Sequence, residues 1–235
     1  MVSQLVDGRR ASRRLPRRVA AVIGIAIVLS WLPVLALRWL PPPTTAFMLL
    51  DPVPLAAIKH EWADWPRISA SVPLAVIASE DQKFPSHVGF ALESIRAALS
   101  DRRSGDPLRG ASTISQQVAK NLFLWPGRSF LRKALEAYLT LLIEATWPKQ
   151  RILEVYVNVA ELGPGIYGIE AASREFFGKP PAAIDDPEAA LLAGALPSPR
   201  HFDVRRPSEY LRERQRWILG QMRRMRSEQV LMTLE

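Results

Sequence analysis

An all-α fold is what this sequence predicts, and three observations predict it. From Val72 onward, apolar residues return every three or four positions in run after run, the period of helices that bury one stripe. The breaks between runs carry helix punctuation: Thr113-x-x-Gln116, Pro148 and Gly178. No convincing period-two alternation of a half-buried strand appears, and no internal repeat is visible.

Taken in order, residues 1–18 are a basic tail. Residues 1–40 hold seven Arg and one Asp, +6 of the formal +8, and the other 195 residues hold 24 basic and 22 acidic groups, only +2. A nucleic-acid-binding domain carries its basic excess in the folded part, so no nucleic-acid partner is expected. Residues 19–40 read as a transmembrane signal anchor. Val19 to Leu37 is uncharged, and at about 1.5 Å per residue it spans roughly 28 Å, close to the ~30 Å hydrocarbon core. Six Arg precede it and Arg38 alone follows closely, which places the N-terminus in the cytoplasm and the rest outside the inner membrane, a single-pass topology. A cleavable signal peptide is the competing reading. Its apolar region is usually about 7–15 residues, and no small-x-small site stands before Pro41-Pro42-Pro43.

Residues 41–60 read as a linker that begins with a stiff proline run, and residues 61–235 as one domain, with 46–71 irregular. Expected helices are Val72–Ser79, with Pro73 in its first turn, Phe90–Leu99, Thr113–Leu122 behind a capping box, Ser129–Trp147, and residues 149–160 after Pro148. Residues 102–110 are a polar loop, Trp125-Pro126-Gly127 a turn, and Gly163-Pro164-Gly165 a break. Ile166–Phe177 with Gly178 as its cap, Pro187–Leu196 and Glu209–Met225 complete the set.

The absence of cysteine excludes disulfides, thiolate metal sites and cysteine nucleophiles, and three scattered histidines without a His-x-x-x-His pair argue against a zinc enzyme. Chemistry concentrates instead in carboxylates. The apolar run Val72–Ala78 ends in Glu80 and Asp81, followed by a turn with Pro85, His87 and Gly89. A Glu beside Ile77 and Phe84 is partly desolvated, as a general base requires. Read without context, such a pair is also an ordinary element end, and His87 an ordinary turn-shaping residue. Further on, Thr113, Gln116, Gln117 and Lys120 share one helix face. Lys120, Arg128, Arg132 and Lys133 gather around Glu136, a grouping suited to a phosphate or diphosphate. By itself Arg132–Glu136 also reads as a surface ion pair, and the Thr/Gln face as a solvated one. The Arg-rich C-terminus, interspersed with Glu209, Glu213 and Glu228, reads as a solvated helix.

Glu80-Asp81-x-x-Phe84-x-x-His87-x-Gly89-Phe90 resembles the first signature of the peptidoglycan glycosyltransferase family shared by class A penicillin-binding proteins and monofunctional enzymes. Arg109-Gly110-Ala111-Ser112-Thr113-Ile114-Ser115-Gln116-Gln117-Val118-Ala119-Lys120-Asn121 resembles the second, and Arg132-Lys133-x-x-Glu136 the third. Ile152-Leu153-Glu154-x-Tyr156-x-Asn158 resembles the fourth, continued by Gly168-Ile169-x-Ala171-Ala172 and Phe176-Phe177-Gly178-Lys179. Ala111 stands where Gly is usual and Ser115 where Thr is usual; neither change removes an ionisable group. Neither Ser-x-x-Lys nor Lys-Thr-Gly occurs, so the transpeptidase half is not expected.

The resemblance implies a lysozyme-like helical domain with a small membrane-facing lobe, to which Leu122, Phe123, Leu124, Trp125, Phe130 and Leu131 belong. It implies polymerisation of lipid II into β-1,4 glycan strands with inversion and release of undecaprenyl diphosphate. Glu80 would be the general base. Glu136 would lie by the diphosphate and act directly or through a divalent cation, Mg or Mn; no organic cofactor is implied. Lys120, Arg128, Arg132 and Lys133 would face the leaving group. Asp81, Ser112, Gln116, Gln117 and Asn121 would contact substrate or support those contacts. Expected partners are lipid II, the growing chain, membrane lipid and other cell-wall synthases. Two rivals remain open from the sequence: a lytic transglycosylase or lysozyme-like enzyme, and an inactive membrane-anchored scaffold.

Overall fold

The computed structural model describes residues 17–90, 112–127, 129–227 and 230–234. Nine helices are found among the described residues: α1 (Arg17–Leu37), α2 (Ala46–Leu49), α3 (Ser71–Glu80), α4 (Ile114–Phe123), α5 (Phe130–Thr146), α6 (Lys149–Val159), α7 (Ile169–Phe177), α8 (Asp186–Ala195) and α9 (Glu209–Ser227). The expected boundaries hold to within a few residues. The helix expected from Phe90 and the loop at 102–110 fall outside the described residues.

Every residue of α3 from Val72 to Ala78 is buried, so this helix is apolar all round, as a central helix must be. It packs against α6, α8 and α9. The amphipathic α4 lies between α5 and α6 and carries α2 on its outer side. Thr113 caps α4 in the expected capping box, and Asp185 with Glu188 forms a second one at the start of α8. The end of α3 therefore meets the start of α4 inside one continuous core.

The strand-free expectation is corrected. A three-stranded sheet, β1 (Lys59–His60), β2 (Glu161–Gly163) and β3 (Ile166–Tyr167), has the order β1-β3-β2; β1 runs parallel to β3, and β2 antiparallel to it. Strands of two or three residues are too short to display alternation, and the β1–β3 pairing joins segments a hundred residues apart. The same sheet takes the first turn from the helix expected at Ile166. Gly168, at φ +80, turns the chain out of β3 into α7, where a Cβ would lie 2.4 Å from the Asn158 carbonyl oxygen.

The fourth motif proves largely architectural. Asn158 accepts from the Ala63 N–H at 2.8 Å and donates to the Ala63 carbonyl at 2.9 Å, while Glu154 accepts from the Trp65 N–H at 2.9 Å. These bonds fasten the irregular 61–65 segment onto α6.

α1 is sewn to the domain at its C-terminal end. Arg151 donates to the Leu37 carbonyl at 3.0 Å and the Leu40 carbonyl at 2.7 Å, Trp147 Nε1 donates to the Val34 carbonyl at 2.8 Å, and Ser30 and Tyr138 share a hydrogen bond of 2.8 Å. A helix ends with carbonyls that have no intrahelical partner, and Arg151 supplies one. Among the described residues no helix is long and apolar enough to cross a membrane, so the fold leaves the spanning role of residues 19–37 as a proposal, taken up below. The segment read as a linker, 41–60, is held against the domain as well. Thr45 caps α2, and Asp51 accepts from the Tyr167 hydroxyl and Arg200.

Candidate active site

Glu80 is the last residue of α3, and Asp81 leaves the helix in an extended conformation at φ −161. The Asp81 carboxylate is buried, and both of its oxygens face His87 Nε2, at 3.0 and 2.9 Å; Oδ2 also accepts the Ile114 N–H at 3.0 Å. Ile114 opens α4, whose first N–H groups lack helical acceptors, so an anion is favoured there. Asp81, expected to contact substrate or to support such contacts, here braces the end of α3, the turn and the start of α4.

The turn is fixed from behind. Gly89 has φ +75, and a Cβ there would meet Thr140 Cγ2 at 2.8 Å and Glu144 Cγ at 2.9 Å. Lys149 Nζ donates to the His87 carbonyl at 2.6 Å and to Glu144 at 2.8 Å, and stands 4.5 Å from the Phe84 ring centroid. Lys149 and Glu144 had no signal in the sequence, because α5, α6 and the turn come together only in the fold. Gln116 takes the supporting place that the capping box gives it. Its side-chain oxygen accepts the Thr113 N–H at 3.0 Å inside the capping box, and its exposure is 4%.

Glu80 is held differently. Gln117 Nε2 donates to Oε2 at 3.0 Å, Ser79 Oγ to Oε1 at 3.2 Å, and Arg214 Nη2 stands 3.7 Å from Oε1. Its side chain keeps 13% of its surface open, so the carboxylate is partly desolvated yet reachable. Arg214 comes from α9, the helix expected to be solvated, and it also donates to Ser79 Oγ at 3.2 Å. Nothing in the alternating Glu/Arg pattern of that helix marks this one arginine; only the packing of α9 on α3 selects it.

A second pole stands on α5. Glu136 is 3% exposed and receives Arg132 Nη1 at 2.8 Å and the Lys133 ammonium. The bland reading of Arg132–Glu136 as an exposed surface pair is overturned by that burial. Arg132 Nε is buried with no partner among the described residues. Lys120, one turn beyond Gln117 on α4, links the two poles. Burial pushes its ammonium below the ordinary lysine value, the negative charges of Glu136 and Glu80 oppose this, and Arg132 and Lys133 add to it. Its Nζ lies 5.3 Å from the Phe47 ring centroid of α2.

Asn121 is buried on α4, and Ser112 is exposed just before it. Arg128 lies outside the described residues. Both Glu136 oxygens are paired with cations, and no group of three His, Asp or Glu able to hold an ion by themselves occurs among the described residues; a cation shared between one carboxylate and a substrate diphosphate needs no such group.

The site thus pairs a reachable carboxylate, held by an amide, a hydroxyl and a guanidinium, with a neighbouring cluster of cations around a buried carboxylate. A transglycosylase family model matches residues 50–223. The chain is 50% identical over 224 residues to a biosynthetic peptidoglycan transglycosylase of Xanthomonas campestris pv. campestris, covering 92% of this chain and 91% of that protein. It is likewise 50% identical to one of Shewanella oneidensis (87% and 89% covered) and 46% identical to one of Aeromonas hydrophila subsp. hydrophila (90% and 92% covered). On a match over well over half of its length and relatives at this identity, the chain belongs to the transglycosylase family.

Proposed function

We propose that this protein polymerises peptidoglycan glycan strands from lipid II at the outer face of the inner membrane. The observation that carries the reading is the pairing of Glu80, reachable and oriented, with Lys120, Arg132 and Lys133 around Glu136. An enzyme that cleaves finished glycan has no diphosphate to neutralise, and this cation cluster answers that need.

In the proposed reaction the Glu80 carboxylate takes the proton of the acceptor sugar's 4-hydroxyl. That oxygen bonds to the anomeric carbon of the growing chain from the face opposite the leaving group, so configuration inverts. The bond from the anomeric carbon to the diphosphate breaks, and undecaprenyl diphosphate departs with the electron pair. Lys120, Arg132 and Lys133, with Arg128 beside them in sequence, oppose the charge that develops on it, in a partly buried setting where such charges act strongly. Glu136 holds Arg132 and Lys133 in place. The proton on Glu80 then returns to solvent.

The same reading assigns α1 as a single-pass anchor with its N-terminus in the cytoplasm. The helix runs from Arg17 to Leu37, and from Val19 to Leu37 the sequence carries no charge. Val22, Val28 and Leu32 leave 60% or more of their surface uncovered. Of the apolar residues expected in the membrane-facing lobe, Leu122 and Leu124 are buried in the core, and the lobe's outer surface falls to Trp125, Phe130 and Leu131; Phe130 is 98% exposed and Leu131 66%. Aromatic and aliphatic side chains so exposed suit the bilayer interface, where a lipid-linked substrate is met.

The test is incubation of the purified full-length protein with labelled lipid II, and separately with finished glycan. Polymer from lipid II that is lost in a folded Glu80→Gln variant is the expected result. Cleavage of finished strands, or polymerisation undiminished in Glu80→Gln, would overturn the proposal.

A further inference from the structure

Behind the proposed base stands a buried hydroxyl that the mechanism above does not use. Tyr156, on α6, is 1% exposed, and its hydroxyl donates to Gln117 Oε1 at 3.1 Å. The other end of the same amide, Gln117 Nε2, donates to Glu80 Oε2 at 3.0 Å. Three side chains from three helices thus form one line that ends on the carboxylate.

The direction of each bond follows from chemistry. An ionised carboxylate only accepts, so the amide NH2 must face Glu80 and the amide oxygen must face Tyr156. That oxygen has no proton to give, so the Tyr156 hydroxyl must be the donor. It keeps its proton: burial, then the negative charges of Glu80 and Asp81, push the phenol well above its ordinary range. Without the hydroxyl, the carboxylate alone holds the amide in that orientation, and Oε1 loses the donor that braces it from behind. Turned by half a rotation, it would present oxygen to oxygen at Glu80.

We propose that Tyr156 is a positioning residue for the transfer reaction, its hydroxyl bracing from behind the Gln117 amide whose Nε2 holds Glu80. The inference rests on the reading of Glu80 as the base and adds to it the device that aims the carboxylate. Tyr156 touches no reacting atom. Its effect passes through Gln117, and it acts on a step that follows substrate binding, so it belongs to kcat rather than KM.

The experiment measures initial rates of lipid II polymerisation by the full-length protein and four variants: Tyr156→Phe, Gln117→Leu, their combination, and Glu80→Gln. Tyr156→Phe removes one oxygen and keeps the ring in the core. The expected result is a kcat lower by about tenfold, or about 1.4 kcal/mol in the barrier, with KM within twofold and the melting temperature close to wild type. In the Gln117→Leu background the same change should do nothing further, because the link it acts through is gone. Should Tyr156→Phe fold poorly, Gln117→Leu alone tests the line, with the same kcat-only loss expected. Wild-type kcat in Tyr156→Phe beside an inactive Glu80→Gln overturns the inference and leaves the base assignment standing. An equal loss with and without Gln117 also overturns it, since the tyrosine would then act through packing. An active Glu80→Gln overturns the base reading, and this inference with it.

Discussion

Replacing Asp81 by alanine separates a bracing role from direct contact with substrate. The carboxylate accepts from the Ile114 N–H at 3.0 Å and faces His87 Nε2 at 2.9 Å, with only 5% of its side chain exposed. Asp81→Ala leaves the Ile114 N–H, on a fully buried residue, with no acceptor, a loss of about 1–3 kcal/mol. It also removes an anion from the start of α4, about 0.3–1 kcal/mol. The His87 bond adds less, since a ring at 10% exposure can recruit water. The sum is on the order of 3 kcal/mol, which in a chain of this size lowers the melting temperature by roughly 6–12 °C. Asp81→Asn keeps one acceptor oxygen and should lose about half as much. Thermal unfolding followed by circular dichroism in detergent, beside activity at a temperature where each variant is folded, is the measurement. An Asp81→Ala protein that melts within about 2 °C of wild type yet makes no polymer would refute the brace and return Asp81 to the substrate contacts.

Arg214→Met should lower kcat by about 3- to 30-fold, with Arg214→Lys retaining most activity, because the guanidinium stands 3.7 Å from Glu80 and donates to the Ser79 hydroxyl that bonds the same carboxylate; steady-state rates on lipid II check this, and an active Met variant would return Arg214 to a packing role. Gly168→Ala should destabilise by about 2–4 kcal/mol or prevent folding, since φ is +80 and the obstacle to a Cβ is backbone at 2.4 Å; denaturant titration reads it directly. Hydrogen bonds from Arg226, with a further one from Ser71, hold the Asp186 carboxyl below its ordinary value of 3.8. A carboxyl depressed in the folded state contributes stability above its unfolded value and loses it as pH falls through the folded one. The stability difference between wild type and Asp186→Asn should therefore be steady at neutral pH and shrink below about pH 4, which denaturation across pH 3–7 would reveal.

The sequence by itself determined the helical class, most helix boundaries and the family. Period, caps and short motifs are local properties, and the residues that report them are neighbours in the chain. Thr113 and Gln116 announce their capping box because both partners lie within one turn. The carboxylates and cations of the site were legible for the same reason, since Arg132, Lys133 and Glu136 share a helix face. Tertiary structure alone decided which partners each of them meets. Asp81 and Gln116 have the residue types of substrate contacts, yet their hydrogen-bonding capacity is turned inward to the start of α4. Arg214 looks like any solvated arginine until α9 packs on α3, and Tyr156 becomes part of the site only because α6 carries it to Gln117. The three short strands escaped because a pairing between Lys59 and Ile166 leaves no mark within either segment. Long-range packing chooses which polar groups are consumed inside the protein and which stay free for chemistry, and no local pattern encodes that choice.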